Sequence, residues 1–176
     1  LQSNVAIKAM NEFGKPADVE GIVLNSKGAK VTSFSSFHNG MGAFDFTPAI
    51  NETYTVKITK PEGITETYKM PEVLNRGYVL NVTNTKADEL TAFIRTTETE
   101  QLSLVAQVRG TIYYSTAIDA KKGDNTIVIS TENFPAGVTQ ITLFDAKGIE
   151  RAERLSFVNS NKQLQVSIET DKEKYL

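Results

Sequence analysis

Apolar and polar side chains alternate residue by residue through almost every run of this chain. Gly, Pro, Asn or Asp ends each run within about ten residues. A two-residue period puts successive side chains on opposite faces of an extended strand, and helical spacing nowhere extends beyond a turn or two. The plainest stretch is Pro135 to Val158, two alternating runs around Asp145-Ala-Lys-Gly148. It consists of packing and turn residues and holds no reaction centre. A chain built this way folds as sheets packed face to face, so the class is all-β.

The runs fall into two series. Val5–Met10, Val19–Leu24, Lys30–Phe37, Ala43–Phe46, Tyr54–Ile58, Thr65–Met70 and Gly77–Thr83 read as seven short strands. Turn chemistry separates them at Asn11–Pro16, at Asn25–Gly28, where Gly28 suits a positive φ, and at Lys60–Gly63. His38-Asn-Gly-Met-Gly42 breaks the third from the fourth. Asn84–Asp88 is polar and short and is the expected linker, with one weak helical candidate near Lys86–Ala92. The pattern then restarts at Leu90–Thr96, Leu102–Val108, Thr111–Ile118, Asn125–Ser130, the Val138–Phe157 hairpin and Leu164–Ile168. With 176 residues, two sandwiches of about 90 residues each bury a working core better than one fourteen-strand object. Gly21–Gly28 echoes Gln140–Gly148, but at a different place in its series, and reads as one hairpin solution reached twice.

Composition closes several functional classes. Lys and Arg number 19 against 21 Asp and Glu, a formal charge of −2, which offers no basic stripe for nucleic acid. The longest apolar stretches are about four to six residues, so no segment inserts in a bilayer as a helix. No basic-then-apolar signal segment opens the chain, and export is expected to depend on a segment upstream or already removed. Without cysteine there are no disulfides, thiolate zinc sites, cysteine nucleophiles or cysteine-based thioesters.

Chemistry-bearing residues are sparse. The single histidine, His38, stands near serines, but nothing in the sequence places an orienting carboxylate or an oxyanion pocket, so a surface turn is the stronger reading. Asp119 with Asp124, and Glu169, Asp171 and Glu173, are the carboxylate clusters; intervening lysines favour soluble turns and a guarded edge over calcium ligation. No metal ligand set, cofactor site or catalytic residue is assigned. Phe34, Phe37, Phe44, Phe46, Tyr54, Tyr68 and Tyr78 could line a groove, but alternation makes most of them core. Asn51 and Asn81 begin Asn-x-Thr sequons at about the chance rate. Tyr113 and Tyr114 are adjacent, so one must face out. The outward one, together with Arg109, is the candidate partner contact.

Segments Val5–Pro16, Gly21–Gly28, Gly42–Pro48 and Tyr54–Val56 resemble a macroglobulin-type sandwich of large Bacteroidetes extracytoplasmic proteins. Gln101–Tyr113, Phe134–Asp145 and Ala152–Val158 resemble the next such module, and Thr170–Tyr175 the opening of a further one. The resemblance implies two tandem immunoglobulin-like (macroglobulin-type) antiparallel β-sandwiches of about seven strands, at residues 1–85 and 86–170, with 171–176 starting a linker. Relatives often carry an aromatic-Pro-Glu-Gly-Gly stretch ahead of the first strand here; lacking it, the first module is expected to miss an N-terminal edge strand. The macroglobulin thioester needs a cysteine, and there is no bait-like loop, so protease trapping does not carry over. What remains is a non-catalytic spacer and interaction scaffold in the periplasm or at the cell surface, outer-membrane associated. Its expected partners are neighbouring domains of the same polypeptide, or an envelope protein or glycan. The rivals are a glycan- or peptide-binding module and, well behind, a hydrolase built on His38.

Overall fold

A computed structural model describes residues 1–159, 166–169 and 171–172. All regular structure in them is strand. No helix among the described residues is long and apolar enough to cross a membrane. The chain divides into two compact units: Leu1–Val79 with Thr96–Glu98, and Leu80–Arg95 with the described residues from Thr99 on.

The first unit contains β1 (Ser3–Lys8), β2 (Glu20–Asn25), β3 (Lys30–Ser35), β4 (Met41–Phe46), β5 (Tyr54–Lys60) and β6 (Thr67–Lys69). They form a two-stranded sheet β1-β4 and a four-stranded sheet β3-β2-β5-β6, with every pairing antiparallel. Alternation does what the sequence implied. In β4, Gly42, Phe44 and Phe46 point inward while Met41, Ala43 and Asp45 stay exposed. Phe44 stacks on Phe34 at 5.4 Å between ring centroids, and Phe46 meets Tyr54 edge-on at 4.8 Å. With Val23 these four rings are the core, and each buried ring contributes roughly 1.5–3 kcal/mol. Phe37 and Tyr68, also expected inside, are exposed, and Tyr78 is half-buried.

The second unit contains β7 (Tyr78–Lys86), β8 (Glu89–Thr96), β9 (Glu100–Val108), β10 (Thr111–Ala120), β11 (Gly123–Ser130), β12 (Gly137–Asp145) and β13 (Glu150–Val158). Its sheets are β11-β8-β7 and β10-β9-β12-β13. Leu102, Leu104 and Ala106 on β9 face Ile141 and Leu143 on β12 as fully buried partners, in a register that sets Leu104 opposite Leu143.

Three expectations change. Asn84–Asp88 is no linker: it is the end of β7 plus the two-residue turn Ala87-Asp88 into β8. The helical candidate at Lys86–Ala92 spans that turn and the start of β8; β-branched and apolar residues facing a core override weak helical propensity. From Tyr78 on, the run Gly77–Thr83 is part of β7, which pairs with β8, and the division between the units falls within that strand, at Val79, instead of Thr85–Lys86. The first unit keeps six strands and the second reaches seven without Leu164–Ile168. Leu164 lies outside the described residues, and Val166–Glu169 are not in a strand. The expected opening of a further module, 171–176, lies outside them too, apart from Asp171 and Lys172.

The two units share one plan. β4-β1 corresponds to β11-β8, and β3-β2-β5-β6 to β10-β9-β12-β13, strand for strand. The correspondence puts β2 with β9 and β12 with β5, so the echo between Gly21–Gly28 and Gln140–Gly148 falls on different hairpins. Its source is the turn. Asn25 Oδ1 accepts from the Lys27 and Ala29 N–H groups, and Asp145 Oδ1 from those of Lys147 and Ile149. Asn11 repeats the arrangement with Phe13 and Lys15. Each turn places a glycine (Gly14, Gly28 or Gly148) three residues on, at a φ of 72–76°, where a Cβ would be strained.

Candidate functional site

Arg109 and Gly110 form the tight β9–β10 turn, both at positive φ (53° and 81°). This aims the Arg109 side chain toward the start of β12: its guanidinium lies about 4 Å from where a side chain on Gly137 would begin. Two residues into β10 the ladder shifts register between Ile112 and Tyr114, and Tyr113 is the bulged residue. The bulge removes the strict alternation that was expected to turn one tyrosine out and the other in. Tyr113 stays 40% exposed, yet its ring lies against the buried Phe134 at 5.4 Å between centroids. Tyr114 is half-buried. Arg109 thus reaches the start of β12 and Tyr113 the loop carrying Phe134 just ahead of it, while Tyr114 continues the β10 ladder opposite Ala106.

A second surface is more extensive and was missed from sequence. Across the outer face of β10-β9-β12-β13 the register aligns Ile112, Gln107, Gln140 and Leu155 in one row, and Val138 with Phe157 in the next. Ile112, Val138, Leu155 and Phe157 are each more than half exposed. The Gln107 Nε2 amide donates to Gln140 Oε1 at 2.6 Å, and Gln140 Nε2 donates in turn to the Glu153 carboxylate. The result is a polar ladder flanked by apolar side chains. The signal was present: Val138, Leu155 and Phe157 put large apolar residues on the face opposite the core-facing Thr139 and Ile141.

The other chemistry-bearing residues hold the fold. His38-Asn-Gly-Met41 is a two-residue hairpin turn, with Asn39 and Gly40 at φ 48° and 73° and paired hydrogen bonds between His38 and Met41. The His38 ring is exposed beside the Asn39 amide, 3.0 Å away. Ser36 Oγ accepts from the Val19 N–H and donates to Asp18 instead of facing the imidazole. Asp124 pairs with Arg95 at 2.5 Å. Among the described residues no group of three or more His, Cys, Asp or Glu is placed to hold a metal ion, and Glu173 lies outside them. Two acids are held below the usual carboxylate range, Glu52 by hydrogen bonds from Ser26 and Thr53, and Asp145. The Asp145 carboxyl is held there first by the Ile149 N–H and also by Arg151 and the Lys147 N–H.

No family model matches the sequence, and no curated protein matches it. Among solved structures, the chain is similar to a biofilm-associated protein's BSP domain (15% identity, TM-score 0.33), covering 92% of this chain and 28% of that one. It is similar to trypsin-activated alpha-2-macroglobulin from Escherichia coli (13% identity, TM-score 0.31), covering 87% and 14%. It is also similar to BcpA, the major pilin subunit of Bacillus cereus (11% identity, TM-score 0.31), covering 90% and 68%. The chain therefore spans a small part of the first two proteins. Likenesses this distant carry no functional argument; the sandwich assignment rests on the strand pairing.

Proposed function

We propose that this chain is a non-catalytic structural and interaction module, serving as spacer and scaffold in a larger bacterial cell-envelope protein built from macroglobulin-type sandwiches. The observation that carries the reading is the repetition of one strand plan in succession, β1–β6 and then β8–β13. Repeating a sandwich sets distance and presents faces and edges to partners, and asks for no reactive group. The apolar row on the outer face of β10-β9-β12-β13 supports protein contact: Leu155 and Phe157 supply area, and the Gln107–Gln140 ladder supplies donors and acceptors. The sequence resemblance adds an extracytoplasmic, outer-membrane-associated setting in Bacteroidetes, with neighbouring domains of the same polypeptide as partners.

The test pairs two surfaces. In the intact protein, Leu155→Glu with Phe157→Glu should weaken association with the neighbouring domain, measured by limited proteolysis and cross-linking, while the isolated chain keeps its far-UV spectrum. A glycan array probed with the isolated chain should retain nothing. Glycan retention that vanishes in Tyr113→Ala or Tyr114→Ala would move the reading to a glycan-binding module.

A further inference from the structure

The four-stranded sheet of the second unit ends on β13 at one side and on β10 at the other. The two ends are finished differently. β13 carries Glu150, Arg151, Glu153 and Arg154 along its length. Its last residues are also held from the opposite sheet: Asn84 Nδ2 on β7 donates to the Phe157 carbonyl at 2.9 Å, and Asn84 Oδ1 accepts from Ser156 Oγ at 2.7 Å. Charges along a strand and a cap over it keep an edge from pairing with another chain.

β10 has neither. Its ten residues, Thr111 to Ala120, hold a single charge, Asp119, and β9 is its sole strand neighbour among the described residues. Ser115, Ala117 and Asp119 stand exposed on the outer face, while Tyr114, Thr116 and Ile118 turn inward. The bulge at Tyr113 blunts only the first part of this edge. From Tyr114 to Ala120 the ladder with β9 is unbroken, so seven consecutive residues present one regular border.

We propose that this border is a self-association site, where β10 of a second copy pairs antiparallel about a two-fold axis at Ala117. Ala117 is the middle residue of the regular run, so a two-fold there uses all seven residues of both copies. The run complements itself, and this makes a second copy its occupant. Ser115 falls opposite Asp119, a hydroxyl beside a carboxylate, and no like charges meet. On the inner face the bulky Tyr114 falls opposite the small Ala120, and Thr116 opposite Ile118. Joined this way, two four-stranded sheets become one of eight strands. Each copy adds its own Ile112, Val138, Leu155 and Phe157 to a single continuous face. A border of this length is a small interface, so the dimer is weak and concentration-dependent. The inference needs only the β10 edge, so it stands apart from the functional reading above.

The chain has no cysteine, so a cross-link reports introduced thiols alone. In Ala117→Cys the two thiols sit at the two-fold, within the Cα separation of about 4.4–6.8 Å that a disulfide spans. In Ser115→Cys, at a position also exposed, they are four residues apart along the paired strands, more than about 13 Å, and cannot meet. Under mild oxidation Ala117→Cys should give linked dimer at least about tenfold faster than Ser115→Cys. Sedimentation of the parent chain should show a monomer–dimer equilibrium below about 1 mM. Ala117→Lys sets two like charges face to face and should leave a monomer with an unchanged far-UV spectrum. A parent chain that stays monomeric throughout this range overturns the proposal, as does a dimer that survives Ala117→Lys. Should that variant disturb folding, the cysteine pair decides: equal cross-linking rates overturn the two-fold at Ala117.

Discussion

Asp145 divides its carboxylate between a turn and a cation: Oδ1 accepts the Lys147 and Ile149 N–H groups, and Oδ2 receives both Nε and Nη2 of Arg151, at 2.9 and 2.6 Å. One side chain thereby closes the β12–β13 hairpin and pins the strand leaving it. Asn25 and Asn11 close their turns with the amide oxygen alone, so the turn itself does not need the charge.

The charge does add acid sensitivity. Because Asp145 is held below the ordinary carboxylate range in the folded state, its contribution is fully present above the pKa of a free aspartate and is lost as pH falls through the lower folded value. Asp145→Asn should keep the hairpin and flatten this part of the acid-unfolding profile, whereas Asp145→Ala should lower the midpoint at every pH. Thermal melts between pH 2 and 7 check both. An Asn variant as unstable as the Ala variant at pH 7 would show that Arg151, not the turn, is the main contribution.

Gly21 lies under the Phe34 ring. A Cβ there would come within 2.3 Å of the ring's Cζ, and the ring cannot retreat freely because it stacks on Phe44. Gly21→Ala should destabilise the first unit by about 1–3 kcal/mol. Combining it with Phe34→Leu should cost less than the sum of the two changes, since the shortened side chain vacates the contested space. Urea titration of the three variants and the parent protein gives the coupling.

At the His38 hairpin, two neighbouring substitutions should separate cleanly. His38→Ala removes an exposed ring and should shift stability by less than about 0.5 kcal/mol. Gly40→Ala places a Cβ at φ +73°, 2.3 Å from the Ala9 carbonyl oxygen, and should cost about 3 kcal/mol. Equal effects would mean that the histidine carries structure beyond its place in the turn.

On the β12–β13 hairpin the same residue type takes both faces. Leu143 is fully buried against β9, and Leu155 is 64% exposed on the outer face. Leu143→Ala should cost about 2–5 kcal/mol and Leu155→Ala under about 0.5. Denaturation midpoints of the two variants measure the difference directly.

Alternation located most of these faces in advance. Phe34, Phe44, Phe46 and Tyr54 came out as core because each sits on the apolar parity of its strand. Phe37 did not, because it lies past the end of β3, where parity no longer binds it to a sheet. The candidate contact at Arg109, Tyr113 and Tyr114 was legible only in part. The Arg109-Gly110 turn could be read from its residues, but a bulge is an agreement between two strands, and nothing near Tyr113 announces it. The outer apolar row needed the register of four strands, which no single stretch contains.

By itself the sequence determined the local terms: an all-β chain, the Asn or Asp to Gly turns at 11–14, 25–28 and 145–148, and which side of each strand is apolar. These depend on a residue and its near neighbours, through the two-residue period and the left-handed freedom of glycine. Tertiary structure decided partnership: that the run from Tyr78 belongs to β8, and that one plan serves both units. Strand pairing joins residues far apart in the chain. Parity says which face a side chain takes, and only the assembled sheet says which strand lies beside it.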